Sequence, residues 1–174
     1  MIDFSRNHFE LFGLPARYSV DAAALERAYR ALQTDVHPDR HAAGSDAQKR
    51  AASQASARVN EAYRALRDPV ERAEYLLQLQ GVDTGASARL PVAFLTEQLE
   101  RREAAEDATA AHDDATLARL LRDVRADAAA LQDDVESALA ARNLAVAAAR
   151  VRELRFLTRL AEDLDTLHAD EVDT

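Results

Sequence analysis

The sequence predicts an all-α protein: a helical hairpin with flanking short helices in the first half, and a three-helix bundle in the second. Three observations carry this. Apolar residues recur at three- and four-residue spacings over long stretches, and nowhere do they alternate as in a half-buried strand. Alanine is abundant, aromatics are few, and Gly and Pro number four each, the composition of packed helices. Turn signals at Gly13-Leu14-Pro15, His37-Pro38-Asp39, Asp68-Pro69 and Gly81 break the periodic segments into helix-length pieces.

A short first helix should end near Gly13, which suits the left-handed position after a helix C-terminus. Phe4, Phe9, Leu11, Phe12, Leu14 and Tyr18 lie around it and read as core. After a turn through Pro15, a second helix starts near Ser19 or Asp21 and runs to about residue 35. It carries Leu25, Ala28, Tyr29, Leu32 and Val36 on one face, with Arg27, Arg30, Gln33 and Thr34 pointing outward. The third helix begins near Ser45, where Ser45 and Gln48 can form a capping box. Its apolar face is Ala52, Ala55, Val59, Ala62, Tyr63 and Leu66, and it ends near Arg67 before the Asp68-Pro69 break. A fourth helix over about 69–79 holds Ala73, Leu76 and Leu77 and stops at Gly81.

Residues 81–90 are small and polar with two glycines, and mark the domain boundary. The expected division is 1–80, a linker at 81–90, and 91–174. Three helices follow: about Pro91–Ala108 with Pro91 in the first turn, about Asp114–Ala141, and about Leu144–Leu167. Leu117, Leu120, Leu121, Val124, Ala128, Leu131, Val135 and Leu139 stripe the middle one. Leu144, Ala148, Val151, Leu154, Leu157, Ala161 and Leu164 stripe the last. Joined by Arg142-Asn143, these two form an antiparallel hairpin on which the first packs.

Several functions are excluded by composition. Without cysteine there is no disulfide framework, thiolate metal site or cysteine nucleophile. No apolar run approaches the roughly 18 residues of a membrane span, and no signal pattern opens the chain, so a cytoplasmic protein is expected. The net charge of −9 is unevenly placed. Residues 1–80 hold eleven Lys+Arg against eleven Asp+Glu, whereas residues 81–174 hold eleven against twenty. Nucleic acid and anionic membranes need a basic footprint, so neither is an expected partner.

Between the second and third helices stands Val36-His37-Pro38-Asp39-Arg40. Pro38 cannot continue a helix and pushes His37 out of the helical region, so His37 and Asp39 project from the tip of the hairpin. Pro and Asp also occur in such loops for turn chemistry alone. A helical hairpin of this length with His-Pro-Asp at its tip resembles a J-domain. In the second half, Leu95, Leu99, Arg102 and Glu106 fall near one line of their helix, flanked by Thr96 and Glu103. Two leucines running into charges suit a docking surface with an apolar centre and polar rim; they equally suit an ordinary core stripe. Phe94, Ala105 and Ala108 lie on another side and suit packing. Phe156 lies off the main stripe of its helix, where it either closes the bundle or extends an exposed patch.

Five stretches in order carry a wider resemblance: Leu11-Phe12-Gly13-Leu14-Pro15-Ala16-Arg17-Tyr18, His37-Pro38-Asp39, Arg72-Ala73-Glu74-Tyr75-Leu76-Leu77, Phe94-Leu95-Thr96-Glu97-Gln98-Leu99-Glu100, and Leu154-Arg155-Phe156-Leu157. Over nearly its full length the chain resembles the iron–sulfur cluster co-chaperone HscB family. That resemblance implies an N-terminal J-domain that stimulates a DnaK-class ATPase, HscA, through His37, Pro38 and Asp39, helped by Arg27, Arg30 and Arg40. It implies a C-terminal domain that binds the scaffold IscU through Leu95, Thr96, Leu99, Glu100, Arg102, Glu103, Asp107 and Phe156. No cofactor and no chemistry of its own are implied, and a monomer is expected because both long stripes can be buried internally. Two departures stand out. Position 96 can carry a larger apolar residue in the family and is Thr here. Thr34-Asp35-Val36 replaces the basic and aromatic residues usual before His-Pro-Asp.

Two rival readings differ in class. His37, Asp39 and His41 could ligate a metal in a hydrolase, although Pro38 splits them and no fourth ligand is evident. Alternatively, the chain is a general J-domain adaptor for unfolded clients, which would require a broader apolar groove than Leu95, Leu99 and Phe156 provide.

Overall fold

The computed structural model describes residues 3, 5–36, 45–85 and 89–172. Among them the regular structure is helical, with no strand. The elements are α1 (His8–Leu11), α2 (Ala22–Val36), α3 (Asp46–Arg67), α4 (Pro69–Leu79), α5 (Val92–Ala110), α6 (Asp114–Ala140) and α7 (Leu144–Val172). They fall into two compact units, Met1–Gln80 and Gly81–Thr174.

In the first unit α3 is the central element, packing against α1, α2 and α4. Its face of Ala52, Ala55, Val59, Ala62 and Leu66 is buried, as the spacing predicts. The ends of these helices are set by the residues that flank them. Asn7 and Glu10 form a capping box on α1, and Phe12 closes it. Gly13 then takes φ +65°, its N–H donating to Glu10 O and that of Leu14 to Phe9 O. This double bond closes a Schellman turn. Asp21 starts α2 by accepting from Ala24 N at 3.0 Å, so Asp21 and not Ser19 is the cap. Ser45 and Gln48 form the expected box on α3. Asp68 serves two helices: its N–H donates to Arg64 O at the end of α3, and its carboxylate accepts from Glu71 N at 2.8 Å at the start of α4.

Two polar side chains join this core. His8 is 4% exposed, with its ring stacked 4.0 Å from that of Tyr75 at 11°, while Tyr75 Oη accepts from His8 N. Arg72 lies over the Tyr18 ring and donates to Leu66 O at 2.7 Å, meeting a carbonyl in the last turn of α3. The expectation that Gln33 faces outward is corrected. Gln33 is half-buried and its amide donates to Tyr29 Oη and Asn60 Oδ1, because the α2–α3 seam is closed along one edge by polar groups. Arg27, Arg30 and Thr34 are exposed.

In the second unit α6 and α7 form the long antiparallel pair, and α5 packs chiefly on α6. Leu117, Val124, Val135, Val151 and Leu154 are fully buried between them. The apolar stripe of α7 is shifted from the predicted one. Leu144 and Ala161 are only half-buried, and Ala147 and Leu160 take core places. Helix α7 also runs to Val172, well past Leu167, since no Gly or Pro stops it. Pro91 is the N-cap of α5 rather than a first-turn residue, one position earlier than predicted.

The two interhelical turns of this unit share one design. After Ala111, His112 takes φ +52°, and His112 N and Asp113 N donate to Thr109 O and Ala108 O. After Ala141, Arg142 takes φ +54°, and Arg142 N and Asn143 N donate to Leu139 O and Ala138 O. The residue that ends each turn then caps the next helix: Asp113 accepts from Thr116 N, and Asn143 from Val146 N. Such left-handed positions favour Gly, yet neither turn has one. Hence no glycine signal marks these turns in the sequence.

Candidate protein-binding surfaces

The hairpin tip, His37, Pro38, Asp39 and Arg40, lies outside the described residues, as does His41. What is described is the stem that carries it. Arg27 and Arg30 both lie exposed on α2. Arg30 Nε reaches Glu26 Oε1 at 2.7 Å, so part of its charge is held by a neighbour one turn back. Glu26 also accepts from Tyr63 Oη across the seam. The Tyr63 hydroxyl, then Arg30, hold the Glu26 carboxyl below its ordinary range, and the same bond to Glu26 pushes the Tyr63 phenol up. Tyr29 and Tyr63 stack at 4.0 Å, and Tyr29 Oη donates to Asn60 Oδ1 at 3.1 Å. Glu26, Tyr63, Tyr29, Asn60 and Gln33 therefore make a directional ladder that fixes the two helices of the stem in register.

The second surface is on α5. Its contact with the bundle is a narrow stripe of Phe94, Gln98, Arg101, Ala105 and Ala108, residues on one line of the helix. Gln98 is 2% exposed, and its Oε1 accepts from Arg101 Nη1. Arg101 pairs with Asp127 on α6 and with Glu97 at 2.7 Å. A glutamine and an arginine in the buried stripe hide this packing from a search for apolar periodicity. The sequence did place Phe94, Ala105 and Ala108 on this side, away from Leu95 and Leu99; what it did not show is that Gln98 and Arg101 complete the stripe.

With that stripe inward, the residues expected to dock are left outside. Leu95 is 41% and Leu99 57% exposed, so neither fills a place in the core. Thr96, Glu100, Arg102, Glu103 and Asp107 are exposed as well. Thr96 Oγ1 donates back to Val92 O at 3.1 Å, and Arg102 pairs with Asp163 on α7 at 3.4 Å. Phe156 on α7 is half-buried, its ring edge-on to that of Phe94 at 5.7 Å and 80°. It closes α5 onto α7 with one part of the ring and remains partly exposed with the rest. Sequence reasoning did not single out Val92, the most exposed of the large apolar side chains among the described residues at 79%.

Among the described residues no group of His, Cys, Asp and Glu is arranged to hold a metal, and no helix is long and apolar enough to cross a membrane.

Comparison with known proteins agrees with this architecture. The DnaJ domain family matches residues 7–75, and the HSCB C-terminal oligomerisation domain family matches residues 90–165. The co-chaperone protein HscB homolog of Burkholderia multivorans is 48% identical over 166 residues, covering 94% of this chain and 95% of that protein. The chaperone HscB from Vibrio cholerae superposes with a TM-score of 0.88 at 36% identity, covering 95% of this chain and 99% of the other. Human co-chaperone protein HscB does so with a TM-score of 0.87 at 27% identity, covering 95% and 83%. A J-domain followed by an HscB C-terminal domain, with relatives of this identity along almost the whole chain, makes this protein a member of the HscB family of co-chaperones.

Proposed function

We propose that this co-chaperone stimulates ATP hydrolysis by a DnaK-class chaperone of the HscA type and delivers to it the iron–sulfur scaffold IscU. Residues 1–80 serve as the chaperone-binding J-domain, 81–90 as linker, and 91–174 as the scaffold-binding domain. The observation that carries the reading is the exposure of Leu95 and Leu99 on α5, in a domain whose other long helices bury their apolar stripes. Around them Thr96, Glu100, Arg102, Glu103, Asp107 and the free part of Phe156 supply a polar rim and a flanking aromatic. Such a surface has anchors of the kind that dominate protein recognition.

His37, Pro38 and Asp39, with Arg27, Arg30 and Arg40 beside them, act on the chaperone. The hairpin performs no chemistry. It binds one arrangement of the ATPase better than another and so shifts the population toward hydrolysis. Carrying the scaffold on a linked domain raises its concentration at the chaperone. The protein works as a monomer in the cytoplasm.

The test is the steady-state ATPase rate of the cognate HscA-type chaperone, with scaffold present. Addition of this protein should raise the rate, and the His37→Gln variant should not. Equal stimulation by both would place the function elsewhere in the chain.

A further inference from the structure

Val92, Leu95 and Leu99 follow one another at i, i+3 and i+7 on α5, which sets them along one face of the helix. Among the described residues the other exposed large apolar side chains, Leu79 and Val146, stand on other elements. Thr96 lies one turn after Val92 on the same side, and its hydroxyl is turned back to Val92 O. With that oxygen already bonded to the backbone, Thr96 needs no polar partner from outside the helix. The row is thus apolar for two turns, from the first residue of α5 to Leu99. Close to it stand Glu103 and Glu106, with Glu100 and Asp107 further round the helix, whereas Arg101 lies on the bundle side, paired with Glu97 and Asp127, and Arg102 pairs with Asp163. The rim around the row is therefore acidic, and the charge complement of such a face is an apolar patch bordered by lysine or arginine.

We infer that Val92 is a further docking residue for the iron–sulfur scaffold, extending the Leu95–Leu99 surface by a turn and taking over apolar contact that the small Thr96 does not supply. This rests on the function proposed above. Val92 is the first residue of α5 and fills no core site, so truncating it tests contact rather than folding.

The experiment is calorimetric titration of the purified scaffold into the full-length protein and its Val92→Ala, Leu99→Ala and Val146→Ala variants, with circular dichroism and sedimentation on each. Removing two methyl groups from a contact should weaken binding by about five- to tenfold. Val92→Ala should show this loss with helicity unchanged, Leu99→Ala a larger one, and Val146→Ala none. Loss with Leu99→Ala but not with Val92→Ala would overturn the extension and leave the surface standing. No loss with either would overturn the proposed surface and Val92 with it. An equal loss with Val146→Ala, or a change only in self-association with Val92→Ala, would also overturn the inference.

Discussion

Arg142 and His112 each hold a left-handed backbone position that a residue with a Cβ enters at some cost. Both side chains lie exposed at the turns, so replacing them leaves the core untouched. Arg142→Gly and His112→Gly are each expected to stabilise the second unit by about 0.5–1 kcal/mol, read by urea unfolding. His8 illustrates the opposite case, a titratable ring whose nitrogens find no hydrogen-bond partner in the core. Burial, and then the charge of Arg58, lower its pKa below the ordinary 6.5, with Glu61 opposing. A depressed pKa means the folded state favours the neutral ring. The stability linked to it is therefore complete above pH 6.5 and is lost as pH falls from there through the lower folded value. Unfolding measured between pH 7 and 5 should show this slope, and His8→Phe, which keeps the stack on Tyr75, should flatten it. Neither kind of residue was legible in the sequence. Gly13, Ser45 and Gln48 announce their roles because their chemistry is local. His8, Gln33 and Gln98 become structural only through partners brought near by the fold.

At the scale of elements, the helices are read well and their outer turns poorly. Apolar spacing marked the α3 face and most of the α6 face, where Leu131 and Leu139 are only half-buried and Ala138 takes a core place, and it misplaced part of α7, whose stripe drifts round a longer helix. Helix α5 was legible only as a contradiction, two leucines out of line with its alanines, which the Arg101–Asp127 contact explains. The break at Asp68-Pro69 was read correctly, but its double duty was not. Asp68→Ala removes the side-chain acceptor of α4, and should cost about 1 kcal/mol. Asp68→Asn, which can still accept from Glu71 N, should restore most of that in the same denaturation assay.

The whole molecule divides its charge as it divides its work, with a neutral first half and an excess of nine acids in the second. The docking proposed for α5 should consequently weaken as salt rises, since screening removes the attraction between an acidic rim and the basic border that would complement it. Titration at about 50 and 500 mM salt would measure this, and Glu100→Gln with Glu103→Gln should reduce the dependence. Rising affinity with salt would mean that apolar contact alone drives the association. The family match at 48% identity bears on the fold of both units; the salt response is a property of this chain's own surface.

The polar stripe beneath α5 has one more consequence. Helix α5 is seated by Gln98, Arg101 and the Arg101–Asp127 pair, which are directional and tolerate little sliding. Its orientation is therefore a matter of phase. One extra residue between Leu95 and Gln98 would turn everything before it by about 100° relative to that seat. Val92 and Leu95 would swing away from Leu99, dividing the face in two, and Phe94 would leave its contact with Phe156, while the seat from Gln98 onward stays packed. Substitutions along the proposed docking face are thus graded in their effect, whereas an insertion acts as an all-or-none change of address.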